Sequence, residues 1–131
     1  MWNFPIPLPD ELIYSTIARA GLHHGIQSPK QLLDEVFKDR KVVATLDLPS
    51  HLNAIVHLLQ RTGRFSLIDL IYQHTMFGLY APFVQECHRQ KAISLMGEQT
   101  SGSVHLMLGL NASRIPNNTK LHYCPICIQQ Q

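Results

Sequence analysis

Apolar and polar residues along this chain recur mostly at helical spacing. Ile13, Ile17 and Ala20 share one face of a helix predicted over residues 11–22, capped by Asp10 and ended by His23-His24-Gly25. Ser28-Pro29-Lys30-Gln31 predicts a second start, with Ser at the cap, Pro at the first helical position and Gln three residues on. That helix is expected to run to about Phe37. Pro49 is expected to open a third helix, in which Leu52, Ile55, Val56 and Leu59 follow the three–four spacing. His51, His57 and Arg61 fall on its other faces, and Gly63 ends it. Ser66 is read as the cap of a shorter helix reaching His74. Residues 75–83, with Gly78 and Pro82, read as an aromatic-rich loop, and residues 84–98 as helix again. Val104 to Leu110 is apolar almost all round, so a helix there would be central and buried. His105 within it reads as a hydrogen-bonded core histidine rather than a ligand.

Three stretches break the helical pattern. Pro5, Pro7 and Pro9 alternate with Phe4, Ile6 and Leu8, which imposes an extended, polyproline-like arm with one apolar face. Residues 38–48 form a connector whose short apolar run, Val42-Val43-Ala44, fits a strand fragment or a buried loop equally. Residues 114–119 are polar and turn-rich, a linker into Leu121-His122-Tyr123. The expected fold is mainly α: a compact bundle of five to six short helices with a candidate helix-turn-helix, ending in the first half of a zinc-ribbon knuckle. Its expected divisions are an arm over 1–9, a helical domain over 10–113, and a linker with a half-site over 114–131.

A chain of 131 residues, 45% of them apolar, is long enough for one domain with a real core. Three cysteines make no disulfide framework, because the number is odd and a bond between Cys124 and Cys127 would close a very tight loop. A reducing cytoplasm fits better. The first nine residues carry no basic residue and three prolines, unlike a signal peptide, and no apolar run reaches membrane length. A net charge of +2 is a poor argument for nucleic acid by itself. Its distribution says more: no Asp or Glu follows Glu98, and Lys38, Arg40 and Lys41, with Arg61 and Arg64, cluster at predicted helix ends. Solvated helix termini, favoured by the macrodipole, are the preferred reading of each cluster, with phosphate contacts the alternative.

The residues that carry chemistry point away from an enzyme. No His-Glu-x-x-His, glycine-rich phosphate loop or Gly-x-Ser-x-Gly elbow occurs. Cys87 and His88 are adjacent on a predicted helix, so their side chains diverge by about 100° and do not pair as nucleophile and base. A buried Cys87 is the expected alternative, and His23-His24 reads as a helix-end partner. Cys124-Pro125-Ile126-Cys127 is different, since Cys-x-x-Cys is half of a tetrahedral zinc site. With the other two ligands absent from the sequence, the expectation is one piece of a longer protein, stopped inside a zinc-binding module. The two helices joined through Gly25 have the proportions of a helix-turn-helix, with Lys30 and Gln31 projecting from the start of the second. Any two adjacent short helices with a glycine turn give the same pattern.

A resemblance adds what composition does not supply. Phe4-Pro5-Ile6-Pro7-Leu8-Pro9-Asp10-Glu11-Leu12-Ile13-Tyr14-Ser15-Thr16-Ile17-Ala18-Arg19 resembles the opening signature of the TniQ/TnsD family of transposon target-selection proteins. Ser28-Pro29-Lys30-Gln31-Leu32-Leu33 and Asp47-Leu48-Pro49-Ser50-His51-Leu52 are similar to that family's second and third helices. His105-Leu106-Met107-Leu108-Gly109, followed by Tyr123-Cys124-Pro125-Ile126-Cys127, resembles the approach to its zinc finger, most closely in the TnsD branch. The family's pattern continues with a Trp/His-containing stretch and a second Cys/His pair, where this sequence stops.

The resemblance implies a non-enzymatic adaptor of the bacterial cytoplasm that selects an attachment site and recruits a TnsC-like AAA+ ATPase, among other transposition proteins. In some relatives a CRISPR effector replaces direct DNA reading. The residues themselves supply the candidates for these roles: Cys124 and Cys127, by their spacing, for zinc; Trp2, Phe4, Ile6 and Leu8, on a proline-stiffened arm that loses little entropy on docking, for the ATPase. For double-stranded DNA the candidates are Arg19, Lys30, Gln31, Arg40, Lys41, Arg61 and Arg64, mainly on phosphates, with only Lys30 and Gln31 near base edges. An arm that simply packs across its own helices is the alternative to partner contact. An attachment-site DNA reader is the alternative to a recruiting module.

Overall fold

A computed structural model describes residues 1, 3–98, 103–110, 120 and 122–130. Among these the chain is helical, in the order α1 (Ile13–His23), α2 (Pro29–Phe37), α3 (Leu52–Leu59), α4 (Leu67–His74), α5 (Phe77–Tyr80), α6 (Glu86–Gly97), α7 (Ser103–Met107) and α8 (Pro125–Gln129). Two 3-10 segments, Gln60–Thr62 and Ala81–Phe83, extend α3 and α5. The described residues contain no strand, and Cys127 lies on α8.

The core is built around α3. Leu52, Ile55 and Leu59 of its inner face are fully buried, each contributing about 1.5–3 kcal/mol of transfer free energy. This helix packs on α2, α4 and α6; α4 also packs on α5 and α6, α6 on α7, and α1 on α2. Ile13, Ile17 and Ala20 of α1, Leu70 and Ile71 of α4, Phe77 of α5 and Ala92 and Met96 of α6 complete one cluster. Gly97 permits the closest approach: a β-carbon there would lie 2.8 Å from Leu67 Cδ2 and 3.0 Å from Asn53 Nδ2.

Helix starts account for two departures from expectation. Ser28 caps α2 as its sequence predicts, its hydroxyl accepting from the Gln31 amide at 3.5 Å. Ser66 and Asp69 form a full capping box on α4. Asp10, however, does not cap α1. It sits in the left-handed region at φ 59, and α1 begins at Ile13 without a side-chain cap. Pro49 likewise does not open α3. His51, left-handed at φ 61, delays the start to Leu52, while its amide donates to Glu98 O at 2.8 Å and closes α3 onto the end of α6.

Within 75–83, expected to be loop, Phe77–Tyr80 and Ala81–Phe83 are helical and only Thr75 and Met76 turn between helices. The Thr75 hydroxyl donates to the Ile71 carbonyl and accepts from the Phe77 amide at 3.1 Å, handing α4 over to α5. Pro82 is accommodated at the start of its 3-10 segment, where no amide is required. The segment at 104–110 is not buried all round. Val104 and Leu108 face the core one turn apart, while Leu106 is exposed. His105 is half-buried and paired with Asp47 Oδ2 at 2.9 Å, as a hydrogen-bonded histidine should be. Cys87, expected to be buried, is exposed on the first turn of α6. Val42-Val43-Ala44 resolves into a loop, with Val42 buried and Val43 exposed.

Lys38 ends α2 at φ 58, ψ 23, with its amide donating to Asp34 O at 2.9 Å. A side chain in this conformation costs about 1–2 kcal/mol, which glycine avoids at the expense of unfolded-state entropy. Lys38→Gly is therefore expected to match or exceed the parent by up to about 0.5 kcal/mol, and β-branched Lys38→Val to lose about 1–2 kcal/mol. Urea denaturation of the three proteins checks the order, and a glycine variant weaker than the valine variant contradicts it.

Candidate functional site

Arm residues divide into an inward and an outward set. Phe4 and Pro7 are buried; Ile6 and Leu8 are 47% and 56% exposed. Burial three residues apart follows the three-residue turn of polyproline II and not the alternation of a strand. The single apolar face expected for Phe4, Ile6 and Leu8 is thus corrected: Phe4 is a core anchor, and Ile6 and Leu8 point outward. Trp2 lies outside the described residues. Left-handed Asn3 (φ 58) and Asp10 (φ 59) bracket the arm and turn it onto the bundle.

Three polar groups fix this placement. Glu11 Oε2 accepts from the Leu8 amide at 2.9 Å and from Arg19 Nη2 at 2.7 Å; Glu11 Oε1 accepts from Arg19 Nε at 3.2 Å and from the Ser15 hydroxyl at 3.0 Å. Arg19 Nη2 also donates to the Ile6 carbonyl at 2.9 Å. Buried His74 approaches the Glu11 carbonyl at 2.8 Å through Nδ1. A carbonyl only accepts, so Nδ1 carries the proton. The His74 ring also meets Phe65 edge-on at a centroid distance of 5.7 Å.

Between the arm and α4 runs a groove of about 600 Å³, with Ile6, Pro7 and Pro9 on one side and Arg64, Phe65 and Tyr72 on the other. A second groove, about 350 Å³ and mostly apolar, lies between α1, α2 and the 42–44 loop, where Tyr14, Leu32 and Val43 meet.

The basic candidates do not form one surface around a single point. Lys30 and Gln31 are exposed on the first turn of α2, while Arg40 and Lys41 follow its far end, about 13 Å of helix away. Arg40 pairs with Asp34 at 3.1 Å, both side chains well exposed, which contributes little to stability. Arg61 and Arg64 are exposed where α3 ends, and Arg64 joins the arm groove. Arg19 is engaged by the arm.

Sequence reasoning passed over Glu11 and His74. Glu11, Ser15 and Arg19 stand at i, i+4 and i+8, one face of a helix, which is a signal available in the sequence. His74 offers no such signal, because its partner is a backbone carbonyl 63 residues away.

At Cys124 and Cys127 the chemistry fits two zinc ligands. Both thiols are exposed. Backbone and thiol hydrogen bonds from Cys127, and the Ile126 amide, push the Cys124 thiol below its ordinary range towards the thiolate that zinc takes. Among the described residues no third His, Cys, Asp or Glu joins them in a metal-holding group. No helix among the described residues is long and apolar enough to cross a membrane.

The family model described as TniQ matches residues 3–131. "Transposon Tn7 transposition protein TnsD" of Escherichia coli is 59% identical over 131 residues, covering 100% of this chain and 26% of that protein. The chain thus spans about a quarter of the length of the curated relative it matches.

Burial alone would push the Glu11 carboxyl up; hydrogen bonds from Arg19, the Leu8 amide and Ser15 outweigh it and bring it from 4.5 to about 2. A carboxyl lowered on folding stabilises the fold above its unfolded value and loses that contribution as pH falls through its folded value. Stability on the order of 2 kcal/mol should therefore be present above pH 4.5 and lost towards pH 2. Urea denaturation at pH 6 and pH 3 tests this. Glu11→Gln should shrink the difference between the two pH values, leaving the smaller slope from groups such as Asp69 and Glu86, which are also lowered, chiefly by Ser66 and Gln90 respectively. An unchanged difference rules Glu11 out as its source.

Proposed function

The chain belongs to the TniQ family, and from that premise we propose that it serves target-site selection in bacterial DNA transposition. Its role is that of a non-catalytic adaptor of the cytoplasm that recruits a TnsC-like AAA+ regulator to a specific attachment site on double-stranded DNA. The observation that carries this reading is the 59% identity over 131 residues, 100% of this chain, to a Tn7 transposition protein.

Recruitment is assigned to the arm. Ile6 and Leu8 are exposed on a segment already stiffened by three prolines and anchored by Phe4, so a partner that covers them orders little additional chain. The adjoining groove offers a concave surface beside them, and Arg64 stands at its edge. Cys124 and Cys127 are proposed to hold a structural zinc ion together with two ligands from outside the described residues. When bound, that ion would cross-link the segment around α8 and supply no reaction chemistry.

A second reading rests on a different observation. The capped start of α2 presents Lys30 and Gln31 to solvent, as a recognition helix presents its first turn to a major groove. On this reading the module contributes to reading the attachment site itself.

The two readings separate by mutation of the full chain. Replacing Ile6 and Leu8 together by Ser should weaken binding to the ATPase regulator about 10–100-fold and leave duplex affinity unchanged, as expected for two exposed anchors at an interface. Lys30→Ala with Lys41→Ala should weaken duplex binding and reduce its salt slope by about 0.9 for each phosphate contact removed. Fluorescence anisotropy with labelled duplex and labelled ATPase measures both. ATPase affinity that ignores the arm variant sinks the recruiting assignment, and duplex binding with no preference for the attachment site sinks the second.

A further inference from the structure

Resting on the reading of the arm as the recruiting surface, we propose that Arg19 is a positioning residue. Clamped on the Glu11 carboxylate, its guanidinium holds the Ile6 carbonyl and so presents Ile6 and Leu8 to the partner. The geometry is a bracket around Pro7. Proline has no amide to donate, so the polar backbone groups flanking it on this stretch are the Ile6 carbonyl and the Leu8 amide. Both go to the same ion pair: the carbonyl accepts from Arg19 Nη2 at 2.9 Å, and the amide donates to Glu11 Oε2 at 2.9 Å. With those two groups pulled towards the bundle, Pro7 is turned in and its neighbours Ile6 and Leu8 are turned out.

The clamp is itself held. Arg19 engages both carboxylate oxygens, at 2.7 and 3.2 Å, in the forked geometry that a guanidinium offers and an ammonium does not. Ser15 occupies a further position on Oε1, and His74 ties the Glu11 carbonyl to α4. The Glu11 side chain is only 10% exposed and that of Arg19 26%. Withdrawing Arg19 to contact a phosphate would strand a mostly buried carboxylate, a cost that lone surface cations such as Lys30 do not carry. The clamp also fixes the arm as one wall of the groove facing Phe65 and Tyr72.

The bracket makes a readout available that a general loss of stability does not imitate. With prolines at 5, 7 and 9, Ile6 and Leu8 are the arm's amides across this stretch, and the Leu8 amide is the one bonded to Glu11. Hydrogen exchange by NMR on the full chain, for Arg19→Ala and Glu11→Gln, is expected to bring the Leu8 amide close to the rate of an unprotected amide. The amides of α3 and α4 should keep their protection in both variants. ATPase affinity should fall roughly tenfold, the scale of one lost charge-assisted hydrogen bond, and duplex affinity should stay level.

Leu8 protection unchanged in both variants overturns the proposal. So does a fall in duplex affinity with Arg19→Ala that Glu11→Gln does not share, because that marks Arg19 as a phosphate contact. Release of the Leu8 amide in both variants with ATPase affinity unmoved supports the positioning role and removes the recruiting role from the arm.

Discussion

Burial of the inner face of α3 is the constraint on which the other helices depend. Eight residues are too few for a helix to persist in isolation. Leu52, Ile55 and Leu59 point into a core supplied by α2, α4 and α6, and each of those helices is itself only two or three turns long. None carries enough apolar face to stand alone, so α3 is formed because it is packed, and its neighbours are formed for the same reason. A truncation in this layer, such as Leu52→Ala or Ile55→Ala, falls in the class that costs about 2–5 kcal/mol, a large share of any small domain's stability.

Around that layer, long-range polar ties do what short helices with poor caps do not do for themselves. Neither α1 nor α3 has a side-chain cap. Instead the Glu11 carbonyl accepts from His74 on α4, the His51 amide reaches Glu98 at the end of α6, and Asp47 holds His105 on α7 while its carbonyl accepts from the Met76 amide at 3.0 Å. Each tie joins a helix start or connector to a segment distant in sequence. The effect is to satisfy buried backbone groups, which are expensive when left open, and to set where the arm leaves the bundle.

How much of this was legible follows from range. Ser28 and Ser66 were readable as caps because their partners lie three residues away, and the α3 core face because its spacing is periodic. The failures share an opposite cause. Asp10 and Pro49 look like helix starts locally, yet left-handed backbone at Asp10 and His51 moved both starts onward. Residues 75–83 look like a loop, yet buried Phe77 and the two hydrogen bonds of Thr75 start a helix at Phe77 after a two-residue turn. Phe4, Ile6 and Leu8 were assigned one face by counting alternate residues, whereas proline geometry repeats in threes and buries Phe4 with Pro7.

The same difference in range decides how the basic residues should be weighed. By composition Arg19, Lys30, Arg40 and Arg64 are equivalent cations on a chain of low net charge. In the fold Arg19 is a mostly buried partner of a carboxylate, Arg40 half of an exposed pair, and Arg64 an edge of the arm groove, leaving Lys30 at the mouth of a capped helix. Desolvation separates them: a cation already committed to a buried carboxylate gains nothing by exchanging it for a phosphate in water, whereas an exposed one releases counterions when it does. On the proposed reading, nucleic-acid affinity would draw on the exposed cations, and Arg19, held by Glu11, would shape the face offered to a protein partner.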